Sequence, residues 1–236
     1  MAKKKRIKKL KKRKKKIRKK RRRKSRKTRS SESKELVFKV PKKWSKSAYI
    51  DKNKYEKKYK SSIKDNENFW RKEGKRIDWI KPYQKIKDVK YSKTEVKIKW
   101  FYDGTLNASA NCIDRHLKDK KNKTAIIWVG DNPKDSKQIS YKELHRNVCK
   151  AANGLKDIGV KKGDRVTIYL TMIPELAYVM LACARIGAVH SIIFGGFSAD
   201  SIAGRINDCK SDYIITADEG IRGGKIIPLK KITDEL

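Results

Sequence analysis

The second half of the chain alternates short apolar runs with segments of helical periodicity. Each apolar run is rich in β-branched or aromatic residues, and the runs predict strands at 123–129, 165–170, 188–194 and 212–217. The runs are apolar throughout, and the connections between them are long enough for right-handed crossovers. This pattern predicts a parallel sheet covered on both faces, and therefore an α/β fold.

Three helices between these strands have predictable starts. Ser140 and Glu143 form a capping box, Pro174 and Glu175 suit the first turn of the second helix, and Ser198 precedes the third. The apolar face of the first helix comprises Leu144, Val148, Ala152 and Leu155. The glycines that mark the ends of the first two helices are Gly159 and Gly187.

The first 99 residues differ from this pattern and divide into two segments. Residues 1–33 are a Lys/Arg block, and a run of like charges repels itself, so this tail is predicted to be disordered. Residues 34–99 combine many lysines with frequent aromatics, which predicts a mostly helical or irregular segment docked by aromatic anchors, with little core of its own. We therefore expect three parts, at 1–33, 34–99 and 100–236.

The net charge of +39 is concentrated at the amino terminus. The first 30 residues hold 22 Lys or Arg and no acid, which leaves +17 for the other 206. A basic run without interleaved aromatics suits non-specific contact with nucleic acid or another polyanion. A fused or misplaced reading frame is an alternative explanation of the tail.

The cysteine pattern predicts reduced thiols, and the hydropathy pattern predicts no membrane-spanning segment. The four cysteines are more than twenty residues apart, and the three histidines lack ligand spacing to them, so neither a disulfide frame nor a metal site is expected. No apolar run follows the basic start, and the longest apolar stretch, 176–189, is interrupted by Arg185 and Gly187. These features predict a cytoplasmic protein.

Two loops at the carboxyl ends of predicted strands are candidates for ligand binding. Phe194-Gly195-Gly196-Phe197 follows the third strand, and its glycines could leave backbone N–H groups free for an anion. The loop 218–225 follows the fourth strand, where Arg222 and Lys225 flank two glycines in a manner that suits phosphate. Taken alone, each loop could equally be ordinary turn geometry or a solvated basic loop.

Sequence motifs for a specific reaction are missing. The chain has no Gly-x-x-x-x-Gly-Lys-Ser/Thr loop, no Gly-x-Gly-x-x-Gly and no Gly-x-Ser-x-Gly. The residues alone therefore predict a phosphate-binding α/β region and assign no catalytic residue.

Several stretches go further and resemble the acetyl-CoA synthetases, which are AMP-forming, adenylate-forming ligases. The similar stretches are 100–107, 111–116, 171–176, 182–198, 203–206 and 218–230, and the resemblance covers about residues 36–236. It implies that 100–236 is the first part of the adenylate-forming large domain. It also implies a reaction in which acetate and Mg-ATP form acetyl-adenylate, from which the CoA thiol displaces AMP.

The resemblance assigns CoA-binding positions but no catalytic ones. They are Phe194, Gly195, Gly196, Arg222, Gly223, Gly224 and Lys225. At the last of these many members of the family have Arg, so the charge is kept while two-pronged hydrogen bonding is lost.

The family's ATP-contacting segments and acyl pocket are absent from this sequence. We therefore expect an amino-terminal fragment, inactive alone, that binds no cofactor by itself. Ligases for propionate or acetoacetate share this region and remain alternatives, as does a basic nucleic-acid-binding protein acting through residues 1–33. The scattered acids of the later segment argue against the last of these.

Overall fold

The structure is a computed structural model that describes residues 38–236. The predicted basic tail, residues 1–33, lies outside the described residues. The described residues divide into two units, with the boundary between Tyr59 and Lys60. No helix in the part that the structure describes is long and apolar enough to cross a membrane.

The described part of the first unit is helical. It contains α1 (Lys42–Ser47) and the first part of α2 (Lys52–Lys64), which extends into the second unit. Tyr55 and Tyr59, one turn apart on α2, stack with their ring centroids 6.1 Å apart. These rings and that of Trp44 are exposed, and no residue of α1 or α2 is buried.

The second unit begins with helices and an antiparallel hairpin. It comprises the end of α2, then α3 (Asn66–Glu73), a 3₁₀ turn (Gly74–Arg76), β1 (Lys87–Tyr91) and β2 (Val96–Trp100). The hairpin was not predicted. Its signal was the alternation of apolar and charged residues in Val96-Lys-Ile-Lys-Trp100, which the high lysine content obscured.

The aromatic residues of this region pack on one another. Tyr83 lies 4.8 Å from Trp79 and 4.7 Å from Phe101 between ring centroids, and the neighbouring Ile86 is only 1% exposed. Gly104 faces Trp79 so closely that a Cβ there would lie 2.8 Å from the indole ring. Residues 69–104 thus have a small aromatic core, where the sequence predicted little.

The predicted parallel sheet is present and has three strands. Its members are β5 (Arg165–Leu170), β6 (Val189–Phe194) and β7 (Tyr213–Thr216), in the order β6-β5-β7. The crossover helices are α7 (Pro174–Ile186) and α8 (Ala199–Cys209). The α/β fold class is confirmed.

Two apolar clusters lie against this sheet, as the continuous apolar strands predicted. Val166, Ile168 and Leu170 of β5 pack with residues of α7 and of α6 (Tyr141–Asp157). Tyr169 belongs to the other cluster, with Ile202 of α8 and Leu229 of a short helix, α9 (Leu229–Asp234). Successive residues of β5 therefore contribute to different cores.

The first predicted strand does not belong to the parallel sheet. β3 (Thr124–Val129) instead pairs antiparallel with β4 (Ser136–Ser140). Ile127 and Val129 of β3 are more than half exposed, so this apolar run is not a buried strand. β4 was missed because Ser-Lys-Gln-Ile-Ser carries almost no apolar signal.

The helix starts largely agree with the sequence. The Ser140 hydroxyl accepts the N–H of Glu143 at 3.2 Å, Pro174 opens α7, and Gly187 ends it with a φ of 80°. Ser198 precedes α8 as predicted, but its side chain makes no capping hydrogen bond. The remaining elements are α4 (Ala108–Cys112), a 3₁₀ turn (Asp114–His116), α5 (Leu117–Lys120), β8 (Gly220–Arg222) and β9 (Lys225–Ile227).

Candidate functional site

A cleft of about 970 Å³ opens where β5 and β6 end. Its lining comes from four segments distant in sequence: 128–135 of the β3–β4 hairpin, 170–173 after β5, 194–195 after β6, and 219–224 of the β8–β9 hairpin. In a parallel sheet this carboxyl edge is where ligands bind, because the connecting loops there leave a crevice. Both loops predicted from the sequence reach it.

Arg222 joins the two predicted loops. Its guanidinium carbon lies 4.3 Å from the centroid of the Phe194 ring, a cation–π contact between β8 and the end of β6. Five of the seven predicted residues line the cleft, namely Phe194, Gly195, Arg222, Gly223 and Gly224. The structure therefore brings together residues that the sequence could place only at one sheet edge.

The other two predicted residues, Gly196 and Lys225, lie beside the cleft. A Cβ on Gly196 would lie 2.8 Å from an Arg222 guanidinium nitrogen, so any side chain there would displace the arginine. Lys225 is exposed and is the register partner of Arg222 in the β8–β9 hairpin. Gly196 thus borders the guanidinium, and neither residue lines the cavity.

The Arg222–Lys225 hairpin turns through two glycines that the backbone requires. Gly223 has a φ of 57° and Gly224 a φ of 72°, and a two-residue type I′ turn needs positive φ at both central positions. Any L residue with a side chain would be strained at either position. The turn therefore requires both glycines, whether or not a ligand approaches them.

Two backbone N–H groups that the sequence suggested for anion binding are already used within the protein. The Gly196 N–H donates to the Phe194 carbonyl oxygen at 2.7 Å, and the Gly224 N–H donates to Asp131 Oδ2 at 2.8 Å. The structure differs here from the expectation of free amides. The groups best suited to an anion are the cationic side chains, chiefly Arg222.

Three acids that line the cleft were not assigned to it from the sequence, although Glu219 lies within the predicted loop 218–225. Asp131, Asp135 and Glu219 line the cleft together with Arg222. The hairpin that carries Asp131 is held to the sheet because the Trp128 indole N–H donates to the Met172 carbonyl oxygen at 2.8 Å. The sequence analysis did not place residues 128–135 at this edge, because it assigned the apolar run of β3 to the parallel sheet.

A second charged cluster joins the 107–116 segment to the helices. The Arg185 guanidinium at the end of α7 donates to both carboxylate oxygens of Asp114, at 2.6 and 2.8 Å. His145 Nε2 of α6 lies 3.2 Å from the same guanidinium. The Arg185 hydrogen bonds hold the pKa of Asp114 below its ordinary value, although partial burial opposes the shift.

Two family models match consecutive parts of the chain. The model described as AMP-binding enzyme matches residues 113–235, and that described as acetyl-coenzyme A synthetase N-terminus matches residues 55–112. The chain belongs to the AMP-binding enzyme family. The resemblance seen in the sequence is thereby confirmed.

Individual members of the AMP-binding enzyme family are also similar to this chain. It is 63% identical over 199 residues to an acetyl-coenzyme A synthetase of Parvibaculum lavamentivorans and 60% identical over 198 residues to one of Methylocella silvestris. Each match covers 84% of this chain and 31% of the relative, so the chain spans about a third of these relatives' length.

One solved structure extends the similarity to three dimensions. Acetoacetyl-CoA synthetase from Streptomyces lividans matches with a TM-score of 0.67 and 26% sequence identity. The match covers 75% of this chain and 27% of that one.

Proposed function

We propose that this chain supplies part of the CoA site of an acetate–CoA ligase. The reaction joins acetate to CoA through acetyl-adenylate, with release of diphosphate and then of AMP. The observation that carries the proposal is the contact between Arg222 and Phe194, which unites the two loops implied in CoA binding. The high identity to acetyl-coenzyme A synthetases supports acetate as the acid.

The proposed role of Arg222 is to bind a phosphate of the nucleotide end of CoA. A guanidinium presents a rigid fork of N–H donors that matches phosphate oxygens, and stacking on Phe194 fixes its plane. Lys225, directly after the turn, adds a point charge. A contact far from the reacting thiol stabilises ground and transition states alike, so its loss should raise the KM for CoA.

ATP and Mg²⁺ enter the proposal only as substrates of the longer protein. Within residues 38–236 no group of three His, Cys, Asp or Glu side chains could hold a metal ion. We assign no step to the metal and no catalytic role to any described residue. Acetyl-adenylate formation is expected to depend on the ATP-contacting segments that this sequence lacks.

The acyl group and the division of the chain also remain proposals. Acetate is favoured by the identities above, whereas the similarity to an acetoacetyl-CoA synthetase keeps the alternative acid open, as does the absence of the acyl pocket. We retain the division into 1–33, 34–99 and 100–236 and a cytoplasmic location on the sequence pattern alone.

The decisive experiment places residues 34–236 in a complete enzyme, joined to the remainder of the Parvibaculum lavamentivorans relative. Arg222→Ala should raise the KM for CoA about 10- to 150-fold, the range expected for one charge-assisted hydrogen bond. Acetate-dependent exchange of pyrophosphate into ATP precedes CoA attack and should hardly change. If the partner is the 3′-phosphate, dephospho-CoA should serve mutant and parent about equally poorly.

Arg205→Ala is a matched control for this change. Arg205 also stacks on a phenylalanine, with its guanidinium carbon 4.6 Å from the Phe197 centroid, but it does not line the cleft. The control should leave the KM for CoA unchanged. A normal KM in Arg222→Ala, or an equal loss of pyrophosphate exchange, would show that Arg222 supports the fold or the ATP site instead.

The 236-residue polypeptide by itself is expected to be inactive. Purified protein should give no acetate-dependent pyrophosphate exchange above background, because no ATP-contacting motif of the family occurs in its sequence. Detectable exchange would contradict this expectation.

A further inference from the structure

The β3–β4 hairpin contacts the proposed CoA site through the carboxylate of Asp131. Its Oδ2 accepts the N–H of Gly224 at 2.8 Å, across 93 residues of sequence. Gly224 is in the turn between Arg222 and Lys225, so this bond restrains the β8–β9 hairpin at its tip. Arg222 precedes that turn directly, and its guanidinium direction depends on where the turn is held.

The loop that carries Asp131 is closed by its own hydrogen bonds. The Gly130 N–H donates to the Asp135 carbonyl oxygen at 2.7 Å, and the Asp135 N–H donates to that of Asn132 at 2.8 Å. Next to this loop, the Trp128 indole N–H fastens the hairpin to the carbonyl oxygen of Met172, two residues past the end of β5. Asp131 therefore offers the turn an acceptor held in place by the parallel sheet.

The negative charge of Asp131 is unfavourable for binding a phosphate in this cleft. A carboxylate on the wall of a phosphate site repels the ligand, and Asp135 and Glu219 already add negative charge to the same cleft. An ionised acceptor, however, makes a stronger hydrogen bond to a backbone N–H than a neutral one does. The bond to Gly224 thus gives the acid at 131 a structural role that offsets its unfavourable charge.

We infer that Asp131 is a positioning residue, which holds the Gly223–Gly224 turn so that Arg222 stays stacked on Phe194 and faces the cleft. The effect of Asp131 on CoA binding rests on the proposed function. The restraint of the turn by Asp131 does not depend on that function. The two can therefore be tested separately with the same substitutions.

The structural part is tested by hydrogen–deuterium exchange of the 236-residue chain without ligand. Asp131→Ala should speed exchange in peptides that cover 220–227 by about 2- to 10-fold, as expected for one lost hydrogen bond. Asp131→Asn keeps an acceptor oxygen and should restore most of the protection. Asp135→Ala removes a charge from the same loop without touching the Gly224 bond, and should leave the exchange unchanged.

Three outcomes would overturn the restraint of the turn. They are unchanged exchange in Asp131→Ala, equal acceleration in the Asp135→Ala control, and acceleration that extends over β5 and β6. The last would mean that the substitution destabilises the whole sheet. If Asp131→Ala does not fold, Asp131→Asn is compared with the parent instead. Protection from exchange at 220–227 close to that of the parent supports the inference, and loss of protection throughout the chain opposes it.

The functional part is tested by titrating CoA into the same variants of the complete hybrid enzyme, in which residues 34–236 are joined to the remainder of the Parvibaculum lavamentivorans relative. Asp131→Ala should weaken CoA binding by about 2- to 10-fold even though it removes a repulsive charge, whereas Asp135→Ala should bind as well as the parent or better. If the parent shows no CoA binding, the proposed function fails while the exchange result stands. Tighter binding by Asp131→Ala would overturn the positioning role.

Discussion

At the scale of single residues, glycine positions determine how closely the loops of the cleft approach one another. Gly220 lies against Thr171, so that a Cβ there would come within 2.7 Å of the threonine hydroxyl and closer still to its methyl group. Thr171 is only 7% exposed and has little room to move. The absence of a side chain at 220 thus lets the β8–β9 hairpin begin directly beside the end of β5.

Gly220→Ala should destabilise the chain by about 1–3 kcal/mol, the usual cost of an overpacked contact. Chemical denaturation of the parent and mutant measures the difference. Adding Thr171→Ala should recover part of the loss, because it removes both atoms that a Cβ would meet first. No recovery in the double mutant would show that the clash is not the cause.

Gly204→Ala is the matched control for that substitution. Gly204 lies inside α8, and a Cβ there meets no atom within 4 Å. Alanine in a helix interior is favoured over glycine by about 0.5–1 kcal/mol, so this substitution should raise the free energy of unfolding. A loss of stability would contradict the open environment seen at this position.

At the scale of elements, the Asp114–Arg185 pair attaches the 107–116 segment to the end of α7. Asn107 assists it by donating through its side-chain amide to the carbonyl oxygens of Ala184 and Arg185, at 3.2 and 3.0 Å. Side-chain exposure is 35% for Asp114 and 23% for Arg185, so solvent weakens the ion pair. The attachment combines a two-pronged ion pair with neutral hydrogen bonds.

The stabilisation by this pair should be lost in acid. The pKa of Asp114 is lower in the folded protein than its ordinary value of 3.8, so the contribution is complete above that value and disappears as the pH falls through the folded pKa. At pH 7, Asp114→Ala should cost roughly 1 kcal/mol after allowance for solvent screening. Denaturation at pH 7 and near pH 2 measures whether the difference between parent and mutant shrinks.

Asp119→Ala provides a comparison on α5, where the acid has no ion pair among those found in residues 38–236. Its effect should be small and nearly independent of pH. A pH-independent loss in Asp114→Ala would instead indicate that packing, not charge, is what the aspartate contributes.

The sequence predicted those elements whose signals are local. Ser140, Pro174 and Gly187 mark helix ends through their own local chemistry. The apolar run of β5 reflects burial on both faces, whereas β6 is an edge strand on which Val189, Ile192 and Phe194 are exposed. It failed for β3 and β4, because an apolar run does not specify its pairing partner and β4 is nearly all polar. The same failure hid Asp131, whose contact with Gly224 depends on where that hairpin lies.

At the scale of the whole molecule, the positive charge is concentrated at the amino terminus. The first 30 residues contain 22 of the 65 basic residues and none of the 26 acids. A run of this kind neutralises nucleic-acid phosphates and releases counterions, with no preference for base sequence. A contact with nucleic acid through residues 1–33 therefore stays a separate proposal from the ligase activity.

Removal of residues 1–33 should abolish salt-sensitive binding to RNA or DNA. For the intact chain, the logarithm of affinity for duplex DNA should fall with the logarithm of salt concentration by about 0.9 per phosphate contact. Electrophoretic mobility shifts over a series of salt concentrations measure this slope. Binding that survives the deletion, or that ignores salt, would refute the assignment.

The strand order β6-β5-β7 also has a consequence for synthesis of the chain. The central strand β5 ends at Leu170 and is made first, whereas the partner for its second edge begins at Tyr213, 43 residues later. At about 5–20 residues per second, a ribosome needs roughly 2–9 s to supply it. During that interval an apolar strand has an unpaired edge, the feature that recruits other chains into aggregates. Slow translation between β6 and β7 should therefore lower the yield of this protein more than an equal delay elsewhere.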